Sequence, residues 1–425
     1  MTIFVLMVTF LLALLLAVPA AFALAVACAA AILVSDRLPG TILPQQIVST
    51  LDSTPLLAIP LFVLLGEIIA RSSLGTRLVD FCNALVGWMR GGLAQANVAA
   101  SMFFGGISGA ATADTAAIGS VMIPAMKKEG YPGPFAAVVT CTSSVMGNLI
   151  PPTIDLIIYG WLTGTPIDRL FAAGLVPGLI IGLCLMVVAG YIARKNGYGR
   201  RQPFSVRRLG RGGLTAAPAL VLPVLIIGGI FGGFITVTEA AVVAILYSIF
   251  VTTIIFRDLR RSEVPIIVIN TVKTIGAVMF LIGVASVFGW ILTIERVPQN
   301  LSAAMLDLYP GQAFFALTVI VISLFCGLFL TPATALIILT PIFYPIAMSF
   351  GYDPVHFGVL LIASLALGHV TPPIGLTLFI GASIADEPVE RLLRPLLPFF
   401  AALLVAVFLI AFVPALSLTL PGLMR

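Results

Sequence analysis

Long apolar runs alternate with short polar segments along nearly the whole chain. The runs cover positions 4–34, 56–70, 135–161, 170–193, 214–234, 240–256, 265–294, 314–350, 357–384 and 396–420. A helix needs about 20 apolar residues to cross a bilayer, so several of these runs can hold two helices. The pattern predicts an all-α integral membrane protein with about ten to twelve transmembrane helices and further segments that enter the membrane and return. All of residues 1–425 are predicted to form one transmembrane domain.

The first apolar run, 4–34, has the position of a secretory signal but not its features. No basic residue precedes it, the apolar stretch is too long, and Pro19 divides it into two pieces. We therefore predict two helices of the mature protein.

Composition and charge agree with a surface that faces lipid. Hydrophobic residues make up 60% of the chain and charged residues 9%, whereas soluble domains carry about 25% charged residues. The five cysteines are isolated in apolar surroundings with no CxxC pair, so we interpret them as small hydrophobic residues. The net charge of +5 arises from loop residues and indicates topology, not nucleic-acid binding.

The basic loops define an orientation. The densest group consists of Arg194, Lys195, Arg200, Arg201, Arg207, Arg208 and Arg211. The positive-inside bias places this group in the cytoplasm. Counting crossings from it also puts Lys127 and Lys128 inside, leaves segment 351–355 outside, and predicts that both termini lie outside.

Two stretches of the chain share a pattern at a constant offset of 221 residues. The pairs are Gly106 with Gly327, Pro124 with Pro345, Gly130 with Gly351, Ser143 with Ser364, Gly147 with Gly368 and Pro151-Pro152 with Pro372-Pro373. Repeat one is predicted at about 55–195, with a re-entrant helical hairpin at 95–126 and a broken helix at 135–160. Repeat two is predicted at about 265–420, with a hairpin at 312–346 and a broken helix at 356–383.

The two repeats are predicted to be inverted in the membrane, because Lys127 and Lys128 lie inside while the equivalent segment 351–355 lies outside. Inverted repeats with Gly/Pro-interrupted segments at matching positions indicate the binding site of a carrier. Such a carrier binds its substrate and its coupling ion near the middle of the membrane.

The breaks in the two helices predict cation sites. Proline opens a helix and frees carbonyl groups, which are tolerated at membrane depth only where they line a cavity or bind a cation. Carbonyl and hydroxyl ligands suit Na⁺ in discontinuous carrier helices. The candidate ligands are Ser108, Gly147 and Ile150 in repeat one, and Thr331, Gly368, Thr371 and Pro373 in repeat two.

Helix N-termini at the hairpin tips suit a carboxylate or a sulfonate, because they are the positive ends of helix dipoles. The candidate substrate-binding residues are Thr112, Asp114, Asn148, Asp155, Thr331 and His369. Ionisable residues inside a membrane are functional by default. The alternatives are a helix cap or a buried hydrogen bond for Asp114 and Asp155, and a hydrogen bond to a freed carbonyl for His369.

The motifs GGISGAATADTAAIGSVMIPAM, IPPTIDLIIYG, TPIFYPIAMSFGYDPVHFG and TPPIGLTLFIGASIA resemble the large subunit of TRAP (tripartite ATP-independent periplasmic) transporters, and the resemblance covers essentially the whole chain. It implies an elevator-type, Na⁺-coupled carrier in the bacterial inner membrane. Its expected partners are a small four-helix membrane subunit, here a separate polypeptide, and a soluble periplasmic substrate-binding protein. The resemblance maps the first sodium site to Ser108, Gly147, Ile150 and Pro152.

Three positions depart from the family pattern. Thr331 stands where many relatives carry an acidic residue, Ala110 where many have a small hydroxyl residue, and Asp155 where a neutral residue is expected. These differences favour an anion smaller than sialic acid, such as a small carboxylate or sulfonate.

Three other functions share single features with this sequence. The first is an intramembrane serine protease, because Gly106-Ile107-Ser108-Gly109 matches GxSG and His369 could serve as the base. The repeat explains that segment as a hairpin tip, and a lone GxSG is a weak signal. A channel would also use broken helices, but not a binding protein with saturable Na⁺ coupling. An ATP-driven pump is disfavoured, because the sequence has no GxxxxGK[ST] loop.

Overall fold

The structure is a computed structural model that describes residues 1–35, 39–199, 205–308, 311–372 and 375–424. Within these ranges the regular secondary structure is entirely helical, which confirms the predicted fold class. The α-helices are α1 (Thr2–Leu15), α2 (Ala20–Val34), α3 (Ile42–Leu51), α4 (Ala58–Ala70), α5 (Leu74–Val86), α6 (Gly92–Ser108), α7 (Ala111–Lys128), α8 (Gly133–Ser144), α9 (Ile154–Thr163), α10 (Ile167–Asn196), α11 (Val206–Phe231), α12 (Val237–Phe250), α13 (Val264–Ile294), α14 (Val297–Leu308), α15 (Gln312–Phe329), α16 (Pro332–Ser349), α17 (Pro354–Gly368), α18 (Leu376–Ala385), α19 (Val389–Phe412) and α20 (Ala415–Leu423).

Seven helices in the described ranges are long and apolar enough to cross a membrane, or eight if the bent segment formed by α3 and α4 counts as one span. Five shorter apolar helices are α1, α2, α9, α17 and α18. The longest of these has 15 residues and reaches about 23 Å, less than the ~30 Å hydrocarbon core. A short helix of this kind must combine with another segment or end inside the membrane. The number of ten to twelve spans stays a prediction.

The first apolar run folds as two helices. Proline at position 19 precedes α2, and α1 ends four residues earlier at Leu15. A proline at this place is compatible with a helix start, because the first N–H groups of a helix have no intrahelical acceptor.

Helices α6 and α7 form a hairpin that spans the predicted range 95–126 and extends beyond it at both ends. Ser108 ends α6, and Gly109 has φ of +65°, the left-handed conformation that glycine adopts without strain. Ala110 is extended and α7 begins at Ala111, so the chain reverses within two residues. Helices α15 and α16 form the equivalent hairpin, in which Thr331 caps α16 and Pro332 is its first residue.

Each hairpin is followed by an interrupted helix. Helix α8 continues as a tighter helical turn, Val145–Asn148, and the chain is then non-helical until Thr153 caps α9. Helix α17 ends at Gly368, and α18 begins after Gly375. Prolines at 151 and 152 cannot continue the ladder of helical hydrogen bonds. Both interruptions therefore leave backbone groups free beside a hairpin tip.

The offset of 221 residues also relates helices of the structure. Helices α6 to α10 and α15 to α19 begin at positions that correspond within one residue at this offset. Ala111 and Pro332, the first residues of α7 and α16, differ by 221, as do Gly133 and Pro354 at the starts of α8 and α17. The turns after α7 and α16 both contain a glycine with positive φ, Gly130 and Gly351.

The two sets of helices pack against each other in a reciprocal way. Helix α18 packs on α7 and α8, whereas α9 packs on the equivalent helices α16 and α17. Lys127 Nζ donates to the carbonyl oxygen of Ala385 at 2.7 Å, and Tyr159 Oη donates to the carbonyl oxygen of Pro354 at 2.7 Å. Each interrupted helix therefore supports the hairpin and the broken helix of the other set.

The remaining helices surround this arrangement. Helix α13 contacts α2, α3, α4 and α16, while α11 packs on α5 and α12 packs on α4. A Cβ atom placed on Gly289 of α13 would lie 3.3 Å from the ring of Pro341 in α16. The long helix α13 therefore runs closely along the second arm of the second hairpin.

Candidate functional site

The tip of the first hairpin brings a serine and an aspartate together inside the protein. Ser108 Oγ donates to Asp114 Oδ1. Asp114 is 0% exposed, and its second oxygen, Oδ2, has no hydrogen-bond partner among the described residues. Asp114 lies on the first turn of α7, where a negative charge interacts favourably with the helix dipole. The helix dipole gives Oδ2 no hydrogen-bond donor, so this oxygen can accept a ligand.

The broken helix approaches this tip from the other side. Asn148 Oδ1 accepts a hydrogen bond of 2.9 Å from the backbone N–H of Ala111, the first residue of α7. The side chain of Asn148 also interacts with Asp155. Asn148 thereby joins the hairpin tip to both sides of the helix break.

Glycine at 147 provides the space for the Asp114 carboxylate. A Cβ atom on Gly147 would lie 2.5 Å from Asp114 Oδ2, and one on Gly105 would lie 2.9 Å from Gly147 Cα. Real Cβ atoms do not approach other atoms so closely, so α6 and the broken helix meet at this distance only because both residues lack a side chain.

Carbonyl oxygens of the break face the same tip. A Cβ atom on Gly109 would lie 2.6 Å from the Pro152 oxygen, and one on Gly106 would lie 3.3 Å from the Pro151 oxygen. Ile150 is buried, and its side chain packs against Gly178 of α10 and near Gly106. Of the predicted sodium ligands, Ser108 and Gly147 therefore both lie against Asp114, and Pro152 lies against Gly109 at the same tip.

In the second half of the predicted site, the backbones of α15 and α17 approach each other closely at two glycines. A Cβ atom on Gly368 would lie 2.7 Å from Gly327 Cα and 2.9 Å from the Leu324 oxygen. The contact differs in register from the first repeat, where Gly147 lies against Gly105 and not against Gly106, the residue equivalent to Gly327.

In the second half of the predicted site the two threonines form local hydrogen bonds, and the histidine ring forms none among the described residues. Thr331 is exposed and its hydroxyl lies 2.9 Å from that of Thr334, while Thr371 Oγ1 donates to the Leu367 oxygen. His369 is buried, and its ring nitrogens have no hydrogen-bond partner among the described residues. Thr377 Oγ1 donates to the His369 oxygen. Pro373 lies outside the described residues.

The structure therefore groups the candidate residues differently from the sequence analysis. Asp114, assigned to the substrate, contacts Ser108 and faces Gly147, both assigned to sodium. Asp155 and Asn148 interact with each other, and Thr112 is half-buried on the first turn of α7. No hydrogen bond among the described residues links Thr331 to His369.

Three contributors were missed. Thr153 caps α9 by accepting from the N–H of Leu156 and also donates to the Asn148 oxygen. Its position directly after Pro-Pro and three residues before a helical N–H was a readable capping signal. Gly105 acts through a tertiary contact with Gly147, which the one-dimensional pattern does not contain. Thr334 bonds locally to Thr331, three residues earlier.

The donor set of the first half suits a hard, weakly coordinating cation. It offers a carboxylate, a hydroxyl and backbone carbonyls, all oxygen, in a buried volume. Among the described residues no group of three or more His, Cys, Asp or Glu side chains is arranged to hold a metal ion. The set therefore resembles the sites of alkali cations in discontinuous carrier helices.

The serine protease alternative finds no support in this geometry. A nucleophilic serine needs a base within hydrogen-bond distance. Ser108 bonds to Asp114, and no hydrogen bond from His369 to Ser108 exists among the described residues.

Known proteins agree with this interpretation. A family described as "Tripartite ATP-independent periplasmic transporter, DctM component" matches residues 7–416. The chain is 40% identical to the C4-dicarboxylate TRAP transporter large permease protein DctM of Pseudomonas aeruginosa, with 89% of this chain and 88% of the relative covered. It is 37% identical to the sialic acid TRAP transporter large permease protein SiaM of Vibrio cholerae, with 89% of each chain covered.

A solved structure shows a similar fold. The YdaH transporter of Alcanivorax borkumensis matches with a TM-score of 0.62 at 16% identity, over 90% of this chain and 88% of that chain. Because the family match spans most of the chain, the protein belongs to the large permease components of TRAP transporters, a family of multi-span membrane transporters and not of enzymes.

Proposed function

We propose that this permease couples the inward sodium gradient to the import of a small organic anion across the bacterial inner membrane. The observation that carries the proposal is the Asp114 carboxylate, which is fully buried and has one unpartnered oxygen beside the broken helix. A buried charge without a partner is costly in a low-dielectric environment. A bound Na⁺ supplies the missing partner.

The residues fit this ion. In the first site we place Na⁺ with Ser108 and Asp114, and with the carbonyl groups of Gly147, Ile150 and Pro152. Asp114 thereby moves from the substrate set into the cation set. The equivalent second site consists of Thr331, Gly368, Thr371 and Pro373, with Gly368 held against Gly327. When bound, Na⁺ neutralises the acidic tip so that an anion can approach it.

The substrate proposed is a carboxylate or a sulfonate smaller than sialic acid. Relatives at similar identity carry names for C4-dicarboxylate and for sialic acid transport, so identity alone does not select the substrate. Thr331 offers an exposed hydroxyl at the second tip. Once Na⁺ neutralises Asp114, the first turn of α7 presents Thr112 and the helix N-terminus to an anion. Asn148, Asp155 and His369 complete the proposed set.

The proposed transport unit and its motion are those expected for a member of this family. The partners are a small four-helix membrane subunit and a periplasmic binding protein that delivers the anion. The reciprocal packing of the two repeats supports a rigid body that carries the site past the surrounding helices, as in an elevator. The distribution of basic loops supports a periplasmic position for both termini.

Replacing the coupling ion tests the sodium assignment. In liposomes that contain the permease, its small subunit and its binding protein, we expect uptake only under an inward Na⁺ gradient, because the buried carboxylate needs a small hard cation. Uptake of labelled succinate, isethionate and N-acetylneuraminate is measured with Na⁺, K⁺ or choline outside and no pH gradient. Equal uptake in all three salts contradicts sodium coupling.

Omitting the binding protein tests the tripartite assembly. We expect at least a tenfold fall in initial uptake without it, because the permease site is loaded by delivery and not by free substrate. The control is the same vesicle preparation with the binding protein restored. Full uptake of free anion without the binding protein would make the permease an ordinary secondary carrier.

A further inference from the structure

A polar cavity lies outside the candidate site at the hairpin tips. It has a volume of about 370 Å³ and lies between α3, the end of α9, α13 and the second arm of the second hairpin, α16. Half of its lining is polar and uncharged, contributed by Gln46, Thr50, Ser286, Thr293, Thr340 and Tyr344. Cavities of this size that combine an apolar wall with a few polar groups are typical ligand sites.

One hydroxyl on the wall has no partner. Thr340 is 1% exposed, and its Oγ1 has no hydrogen bond among the described residues. Several threonines inside helices of this protein bond back to a carbonyl of their own helix, as Thr293 on the same wall does. A buried hydroxyl without such a bond lowers the stability of the folded protein unless a ligand or a water molecule forms a hydrogen bond with it.

We propose that this cavity is a transit site for the transported anion, on its way between the outside and the hairpin tips. Thr340 lies nine residues along α16 from the tip residue Thr331, which is about 14 Å of helix. The cavity extends from Thr340 toward the C-terminal end of α16, where Tyr344 and Pro345 line it. The orientation predicted from the basic loops puts that end of α16 outside.

Ser286 and Thr293 donate to carbonyl oxygens of α13. The donors proposed for the anion are therefore Thr340, Tyr344 and Gln46. Uncharged donors of this kind hold an anion weakly enough to release it, as a conduction path requires. The proposal rests on the proposed function, because it assumes that the substrate is an anion.

The alternative occupant is a lipid chain. A hydrocarbon tail gains nothing from hydroxyl groups and would leave Thr340 Oγ1 unsatisfied. The indole of Trp161 and the phenol of Tyr344 on the same wall suit a small amphipathic anion, because an aromatic ring offers both an apolar face and, in these residues, a donor.

The experiment compares Thr340→Val with Thr271→Val. Both remove a buried hydroxyl without a partner, and Thr271 lies on α13 outside the cavity. Valine keeps the shape, so neither variant is expected to melt below wild type. For the anion of the three above that wild type takes up, we expect Thr340→Val to raise the half-saturating concentration about tenfold, and Thr271→Val to leave it unchanged.

A binding readout separates transit from mere stability. In permease with Trp88 and Trp290 replaced by phenylalanine, Trp161 is the reporting indole, and the same anion should change its fluorescence in a saturable way. That change should weaken about tenfold in Thr340→Val and persist in Thr271→Val. Unaltered half-saturation and fluorescence titration in Thr340→Val overturn the proposal, while sodium coupling of wild-type uptake stays testable by itself. A fluorescence change caused by short-chain phospholipid and not by the anion assigns the cavity to lipid and also overturns it.

Discussion

The substitution Gly147→Ala is expected to weaken the sodium dependence of uptake at least tenfold while the protein still folds. The new Cβ would lie 2.5 Å from Asp114 Oδ2, so the carboxylate must rotate away from the proposed cation. The atom that yields is the end of a side chain, not backbone, and the helices can keep their positions. Loss of one charged ligand raises the half-saturating Na⁺ concentration at least tenfold, since a tenfold change in affinity corresponds to about 1.4 kcal/mol. Gly147→Val should abolish uptake.

Two further glycine variants serve as comparisons for Gly147→Ala. Gly276 of α13 has no atom within 4 Å of an added Cβ, so Gly276→Ala should transport like wild type. At Gly368 the added Cβ would meet the backbone of Gly327 and Leu324. Gly368→Ala is therefore expected to lower both the Na⁺ response and the melting temperature. The measurement is a Na⁺ titration of uptake at matched protein amounts. Wild-type Na⁺ dependence in Gly147→Ala would remove Gly147 from the cation site.

Periodicity of apolar residues was sufficient to predict the helical membrane fold, and the spacing of glycine and proline predicted where the chain turns. The run 314–350 was long enough for two helices, and α15 and α16 occupy it, with α15 beginning two residues earlier at Gln312. Length of an apolar run says less about crossing the membrane. Helices α9 and α18 have ten residues each, because the chain is interrupted beside a hairpin tip and each half is shorter than a span.

The sequence predicted the arrangement of the candidate site less completely than it predicted the fold. The sequence could show that Asp114 is an ionisable residue in a membrane segment, but not that its carboxylate turns back toward Ser108 and lies over Gly147. That contact depends on how α6, α7 and the broken helix pack. The register difference between Gly105 and Gly106 has the same origin, because a shift of one residue turns a helix by about 100° and selects another glycine for the contact.

Asparagine at position 114 is expected to abolish the response to sodium. It keeps the shape of the aspartate and its acceptor for Ser108 Oγ, but removes the charge that the proposed Na⁺ neutralises. In wild type, Na⁺ at 100 times its dissociation constant should stabilise the folded permease by about 2.7 kcal/mol, because a ligand that binds only the native state adds its binding free energy to folding. Asp114→Asn should show no such rise in melting temperature and should take up no anion above background.

Asp155→Asn is the matched control, because Asp155 is also buried but interacts with the Asn148 side chain, whereas Asp114 presents an unpartnered oxygen. An amide at 155 can still bond to Asn148, so we expect Na⁺ to raise the melting temperature as in wild type. The test is thermal unfolding of the purified complex with its small subunit, in NaCl and in choline chloride at equal ionic strength. Sodium stabilisation that survives in Asp114→Asn and disappears in Asp155→Asn would move the charged ligand to the other side of the helix break. Asn148 accepts from the N–H of Ala111 at the start of α7 and interacts with Asp155 across the helix break, so these variants decide which side of the break holds the ion.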